Sequence, residues 1–251
     1  MPTTIVIAGK GGVGKTTVAA LLIQLLSAKG VVLAIDADPA TNLNQALGVP
    51  LEDTVGKIRE EMTAAVQAGS ISPSISKQEY LEQKIVASLE ECKGFDLLAI
   101  GRPEGPGCYC AANNMLRLSM ERLDRNYDYI VIDSEAGMEH ISRQTTREID
   151  ILLIISDLTQ RGVNTAAEIK ELIKEMRTKV GKICLVINRS INGLPPEIMK
   201  TIDKHGFELV ATIPQDPIIA DLDIKGSPTT DLSPDSPLRV AVKELANKVG
   251  L

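Results

Sequence analysis

The stretch Ala8-Gly9-Lys10-Gly11-Gly12-Val13-Gly14-Lys15-Thr16-Thr17 constrains this chain more than any other. It follows the short apolar run Thr4-Ile5-Val6-Ile7 and opens a helical pattern from Val18 to Leu26. Strand, glycine-rich turn and helix, in that order, is the setting of a phosphate-binding loop. The glycines let the backbone curl into a concave nest of N–H donors that comes close to an anion. The positive end of the following helix adds a favourable field. Lys15 reaches the terminal phosphates of a nucleoside triphosphate, and the Thr16 hydroxyl is placed to ligate Mg²⁺. Gly11, Gly12, Val13, Gly14 and Thr17 complete the cradle. Context and consensus agree at every position, which sets the loop apart from an ordinary glycine-rich turn.

At 251 residues the chain is long enough to form one large α/β domain over its whole length, 1–251. Charged residues at 24% and apolar residues at 44% are in the globular range. A net charge of −6 argues against broad nucleic-acid binding. No apolar run approaches the length of a membrane-spanning helix, and residues 1–9 read as a strand rather than a leader. The expectation is a cytoplasmic protein with neither nucleic acid nor membrane as partner.

Apolar β-rich runs recur at 4–8, 31–36, 96–100, 129–133, 151–156, 183–188 and 209–213. They are nearly continuous rather than alternating, as strands covered on both faces of a parallel sheet should be. Helical patterns at 16–29, 78–92, 111–125 and 164–178 separate them. The fold predicted is α/β, a doubly wound and mainly parallel sheet, with ligands at the carboxyl ends of its strands. Residues 51–92 read as a helical and loop insertion within that domain, and 227–237 as a loop before a final helix. Cys184, inside an apolar run, reads as a small core residue, and Cys92 as a bystander.

Two strands end in acids. Ile35-Asp36-Ala37-Asp38-Pro39 closes the second, and Ile130-Val131-Ile132-Asp133 closes the strand at 129–133. A carboxylate in the latter place can orient a Mg²⁺ shell. The loop carries a second lysine, Lys10, which composition does not explain. With it, the loop resembles the deviant Walker A motif of the MinD/ParA/nitrogenase-iron-protein ATPases. That resemblance implies ATP as substrate and a Lys10 that reaches a nucleotide across a homodimer interface, beside the catalytic Lys15. It puts Asp38, by its Asp-Pro context, in switch I near Mg²⁺ and the attacking water. Asp36 matches a more variable position that a strand-end cap explains equally well. Ser134 to His140 resembles switch II, with Gly137 as its pivot. Asn188 and Arg189 match the adenine-binding Asn-Arg, and Pro214 and Asp216 a second loop flanking the base.

Gly105-Pro106-Gly107-Cys108-Tyr109-Cys110 departs from a generic ATPase. Two thiols one residue apart, before a helical pattern, can be driven toward thiolate and suit soft metals. A closed tetrahedral site takes about four ligands, which a two-fold dimer would supply from two chains. A redox pair and two incidental cysteines are the other readings of these residues. Together with Asp133-Ser-Glu-Ala-Gly-Met-Glu-His140, the segment is similar to the nickel-insertion accessory ATPases of carbon monoxide dehydrogenase (CooC type) and acetyl-CoA synthase (AcsF type). The resemblance implies an ATP-dependent homodimer, Ni²⁺ or Zn²⁺ held by Cys108 and Cys110, and delivery to carbon monoxide dehydrogenase or acetyl-CoA synthase. Two rivals are a MinD/ParA-like positioning ATPase and an iron–sulfur electron-donor ATPase. Pro237 to Leu251 has few basic and no aromatic residues, unlike a membrane-targeting helix. No cysteine stands between Cys110 and Cys184, where the electron donors carry a cluster ligand.

Overall fold

The computed structural model describes residues 1–70, 76–102, 123, 126–135, 148–175 and 178–251. Eight strands form one sheet: β1 (Thr3–Gly9), β2 (Val32–Asp36), β3 (Glu90–Cys92), β4 (Phe95–Ala99), β5 (Tyr129–Asp133), β6 (Glu148–Ser156), β7 (Lys179–Ser190) and β8 (Glu208–Pro214). Their order is β3-β4-β2-β5-β1-β6-β7-β8, and every pairing is parallel except β3 with β4. This is the doubly wound, mainly parallel sheet that the apolar runs predicted. After β1 the chain moves to one side, to β2. After β5 it crosses to the other side, to β6, so the carboxyl end of β1 lies where the winding reverses. Ligands of open α/β sheets bind at such a point.

Alternation along β1 shows why the strands read as continuous apolar runs. Ile5 and Ile7 enter one core cluster, and Val6 and Ala8 enter the other, all fully buried. The first face is covered by α1 (Lys15–Leu26), α2 (Leu43–Leu47) and α8 (Pro237–Val249). The second carries α3 (Val55–Gln67), α4 (Lys77–Ala87), α5 (Gln160–Glu175) and α6 (Pro196–Lys204). A short helix, α7 (Pro217–Lys225), and a 3-10 turn, Thr229–Asp231, join β8 to α8. Cys184 is fully buried, as a core residue should be.

The helical reading of 78–92 needs correction at its end. α4 stops at Ala87, and Glu90–Cys92 forms an edge strand that turns through Lys93 and Gly94 to pair antiparallel with β4. Three residues with two charges carry no strand periodicity, and the hydrogen bonds of the hairpin decide the conformation instead. The Lys-Gly turn is the signal that was there to find. The predicted helix at 111–125 falls almost wholly outside the described residues.

One close approach sets the sheet spacing beside the glycine-rich loop. Gly9 has φ 149°, and a Cβ there would lie 2.2 Å from the Ile155 carbonyl oxygen on β6. Gly9→Ala should therefore push β1 from β6. The expected cost is about 2–4 kcal/mol, or roughly 5–15 °C in melting temperature for a chain of this size. Thermal denaturation of the two proteins decides it. A Gly9→Ala protein that melts with the parent would show that the strands part freely.

Candidate functional site

β1 delivers the glycine-rich loop, and α1 leaves it. Gly14 takes φ 90° at the helix N-cap, and a Cβ there would meet Asn188 Nδ2 at 2.5 Å. The helix start has no side-chain cap and no acid in its first turn. Its amides, with the positive end of the helix dipole, are thus oriented for an anion. Lys15 is buried, with its ammonium donating to the Lys10 carbonyl at 3.3 Å. Burial pulls its pKa below the usual lysine range, against the opposing fields of Asp133, Asp38 and Glu135. The Lys10 side chain is exposed.

The acids converge because parallel register aligns strand ends. Asp36 of β2 and Asp133 of β5 are direct register partners, and Asp133 is also paired with Ile7 of β1. Both carboxylates are buried. Thr16 Oγ1 donates to Asp133 Oδ2 at 2.6 Å, so the first turn of α1 is tied to the end of β5. Burial raises the Asp133 carboxyl to about 7, only partly offset by the Thr16 hydrogen bond. Burial likewise raises Asp36 to about 6, against the hydrogen bonds it accepts from the Leu43 and Asp38 amides. Ser134 hydrogen-bonds the Ile7 carbonyl through both its amide and its hydroxyl, fixing how the chain leaves β5.

This donor set suits a divalent cation. Asp133 Oδ1 is buried without a hydrogen-bond partner, and the Thr16 hydroxyl and Asp133 carboxylate already meet. Hard oxygens beside a phosphate cradle are the usual Mg²⁺ environment. Thr16 and Asp133, with Asp38 near by, are the residues that would hold it, and it would neutralise phosphate charge.

A cleft of about 190 Å³ opens beside the loop. Gly14, Thr17, Asn188, Arg189, Pro214 and Asp216 line it, with Ile219 and Leu238 as apolar walls. The residues expected around a base are thus brought together with the phosphate loop. Two of them also do structural work. Asn188 donates from Nδ2 to the Val13 carbonyl at 2.8 Å and accepts from the Arg189 amide at 2.9 Å. Asp216 caps α7 by accepting from Ile218 N at 3.0 Å and accepts from Ser236 Oγ at 2.7 Å. Sequence reasoning missed Ser236, the apolar walls and the anchoring role of Asp36. Cys108, Cys110 and residues 136–140 of the stretch expected to form switch II lie outside the described residues. Among the described residues no cluster of His, Cys, Asp and Glu could hold a metal on its own.

The raised carboxyls make a pH prediction. Folded-state values above the unfolded ones mean that the folded chain binds more protons between about pH 4 and pH 7. Stability is therefore lost as pH rises through that window and is level above it. Asp133→Asn should remove the larger share, so that the nucleotide-free variant, in chelator, loses about 2 kcal/mol less than the parent between pH 5 and pH 8. Denaturant titrations at the two pH values measure this, and equal slopes for both proteins would refute it.

Residues 2–187 match the family described as the AAA domain. The chain is 42% identical over 250 residues to an uncharacterized ATP-binding protein of Methanocaldococcus jannaschii, covering 98% of this chain and 97% of that one. It is 33% identical to the carbon monoxide dehydrogenase accessory protein CooC of Rhodospirillum rubrum, covering 92% and 90%. Among solved structures, the septum site-determining protein MinD of Pyrococcus horikoshii, complexed with Mg-ADP, superposes with a TM-score of 0.71 at 24% identity, covering 100% and 96%. A ParA family ATPase of Chlorobium tepidum gives 0.73 at 18%, covering 98% of each chain. These two likenesses concern the fold. With the loop, the strand-end acids and the cleft in place, the chain belongs to the AAA-domain family and is an ATP-binding P-loop ATPase of the MinD/ParA fold.

Proposed function

We propose that this ATPase is a metallochaperone that carries nickel to carbon monoxide dehydrogenase or acetyl-CoA synthase. The observation that carries the reading is the 33% identity with the carbon monoxide dehydrogenase accessory protein over nine-tenths of both chains, joined to the Cys108-Tyr109-Cys110 segment. ATP binds in the loop 9–17 with its base in the adjoining cleft. Lys15 and the N-terminal amides of α1 hold the phosphates, and Thr16 and Asp133 hold Mg²⁺. Asp38 orients the attacking water. Lys10, exposed at the rim of the loop, reaches the nucleotide of a second copy, so ATP drives homodimer formation. Cys108 and Cys110 of the two copies then provide four thiolates for one Ni²⁺, or for Zn²⁺. Hydrolysis separates the copies and releases the metal to its client in the cytoplasm.

The second reading is a MinD/ParA-like positioning ATPase, favoured by 28% identity with the septum site-determining protein MinD of Thermotoga maritima over 86% of this chain. One feature weighs against membrane recruitment through α8. Its apolar residues Leu238, Val242, Leu245, Ala246 and Val249 are buried against the core and leave no apolar stripe for a lipid surface. Among the described residues no helix is long and apolar enough to cross a membrane.

Two experiments test the proposal. Lys10→Ala should still bind nucleotide as a monomer but fail to dimerise with a non-hydrolysable ATP analogue, and turnover should drop at least ~100-fold. Size-exclusion chromatography with and without the analogue reads this out, and normal dimerisation would remove Lys10 from the interface. For the metal, equilibrium dialysis should give half a Ni²⁺ per chain in the parent and none in the Cys108→Ser/Cys110→Ser protein, which keeps its ATP binding. Cys92→Ser and Cys184→Ser should leave the stoichiometry unchanged. Retention of the site in the double variant, or nucleotide-dependent pelleting with liposomes, would favour the second reading.

A further inference from the structure

We infer that Asp36 is a positioning residue for ATP hydrolysis, which staples the loop 37–42 at both ends and so fixes Asp38 at the carboxyl end of β2. This inference rests on the reading of Asp38 as the residue that acts at the attacking water.

Asp36 ends β2 and is 1% exposed. One oxygen accepts from the Asp38 amide at 3.1 Å, and the other accepts from the Leu43 amide at 2.9 Å. Leu43 opens α2, whose own N-cap residue, Asn42, makes no side-chain capping bond. A carboxylate seven residues earlier thus does the capping, and it joins the start of the loop to its end. The anchor itself cannot drift. The Asp36 carbonyl accepts from Ile100 N at 2.8 Å, the Ala37 amide donates to the Asp133 carbonyl at 2.9 Å, and the Leu43 side chain is fully buried against α1.

Between the two staples the chain is strained. Thr41 has φ 48°, a left-handed conformation that a β-branched residue rarely adopts. Such a residue persists only where its surroundings over-determine it. Here the Thr41 amide donates to the Asp38 carbonyl at 3.0 Å, and Asp38 Oδ1 accepts from Ala40 N at 2.9 Å, so the whole turn is wound around Asp38. Asp38 is close enough to Lys15 and to Asp133 for its charge to act on both. A carboxylate is required at 36 because both of its oxygens accept, whereas an amide offers one acceptor and sets an NH₂ against the other backbone N–H.

The test is a double-mutant cycle with a rescue. ATP turnover and ADP affinity are measured for the parent, Asp36→Asn, Asp38→Ala and the double variant. Asp36→Asn should lower kcat by about 10- to 100-fold while KM and ADP affinity stay within about 3-fold of the parent. The double variant should be no slower than Asp38→Ala alone, because the staple acts through the residue it holds. Adding Thr41→Gly to Asp36→Asn should recover at least ~3-fold in kcat, since glycine adopts the left-handed turn without the steric cost. Losses that multiply in the double variant would give Asp36 an action independent of Asp38 and overturn the inference. Loss of ADP binding in Asp36→Asn, or parental turnover, would overturn it as well. Parental turnover in Asp38→Ala would instead remove the reading of Asp38 on which the inference stands.

Discussion

Two carboxylates buried side by side at the end of a parallel sheet are the constraint on which the rest of this structure depends. Asp36 and Asp133 face each other in register, 1% and 2% exposed. Burial takes them away from bulk solvent, and like charges in a low dielectric are unfavourable. Compensation comes from two parts of the chain, the loop after β2 and the first turn of α1. Backbone amides of the loop after β2 serve Asp36, the Thr16 hydroxyl serves Asp133, and the Lys15 ammonium lies within range of Asp133 and Asp38. The phosphate loop, the loop after β2 and the end of β5 are therefore one electrostatic unit. Their excess of negative charge over the single lysine is what suits the unit to a divalent cation.

The sheet makes that unit possible by a simple geometric fact. Parallel strands bring every carboxyl end to one edge, so residues far apart in sequence meet without any long-range signal between them. Thr16 and Asp133 are 117 positions apart and share a 2.6 Å hydrogen bond. Gly9, with no side chain, lets β1 lie against the Ile155 carbonyl and deliver the loop to the same edge. The helices cover the sheet through two core clusters, which are separate networks on opposite faces.

Much of this was legible because the relevant signals are local. Lys15 and Thr16 are fixed by their spacing from the glycines, and Asp133 by its place after an apolar run. What sequence could not display is which backbone amides are left without partners in a neighbouring loop. Asp36 read equally as a strand-end cap, and it is a cap, but of a helix and a turn that begin beyond its own strand. Asn188 and Asp216 read as base contacts from resemblance. Their atoms are engaged with Val13, Arg189, Ile218 and Ser236, partnerships that depend on tertiary packing. The edge strand Glu90–Cys92 escaped because two acids and a cysteine have no period to read.

Asn188 carries a consequence for how the cleft and the phosphate loop behave together. Its amide donates to the Val13 carbonyl inside the loop and accepts from the Arg189 amide within β7, so both of its groups are assigned by their partners. Arg189 sits at φ 58°, a conformation held against its own preference and at the mouth of the cleft. Gly14 leaves no room between the loop and this amide. A phosphate that shifts the loop therefore shifts Asn188, and with it the backbone at Arg189 where the base is proposed to lie. In the binding mode proposed above, base and phosphate sites are joined through one buried side chain.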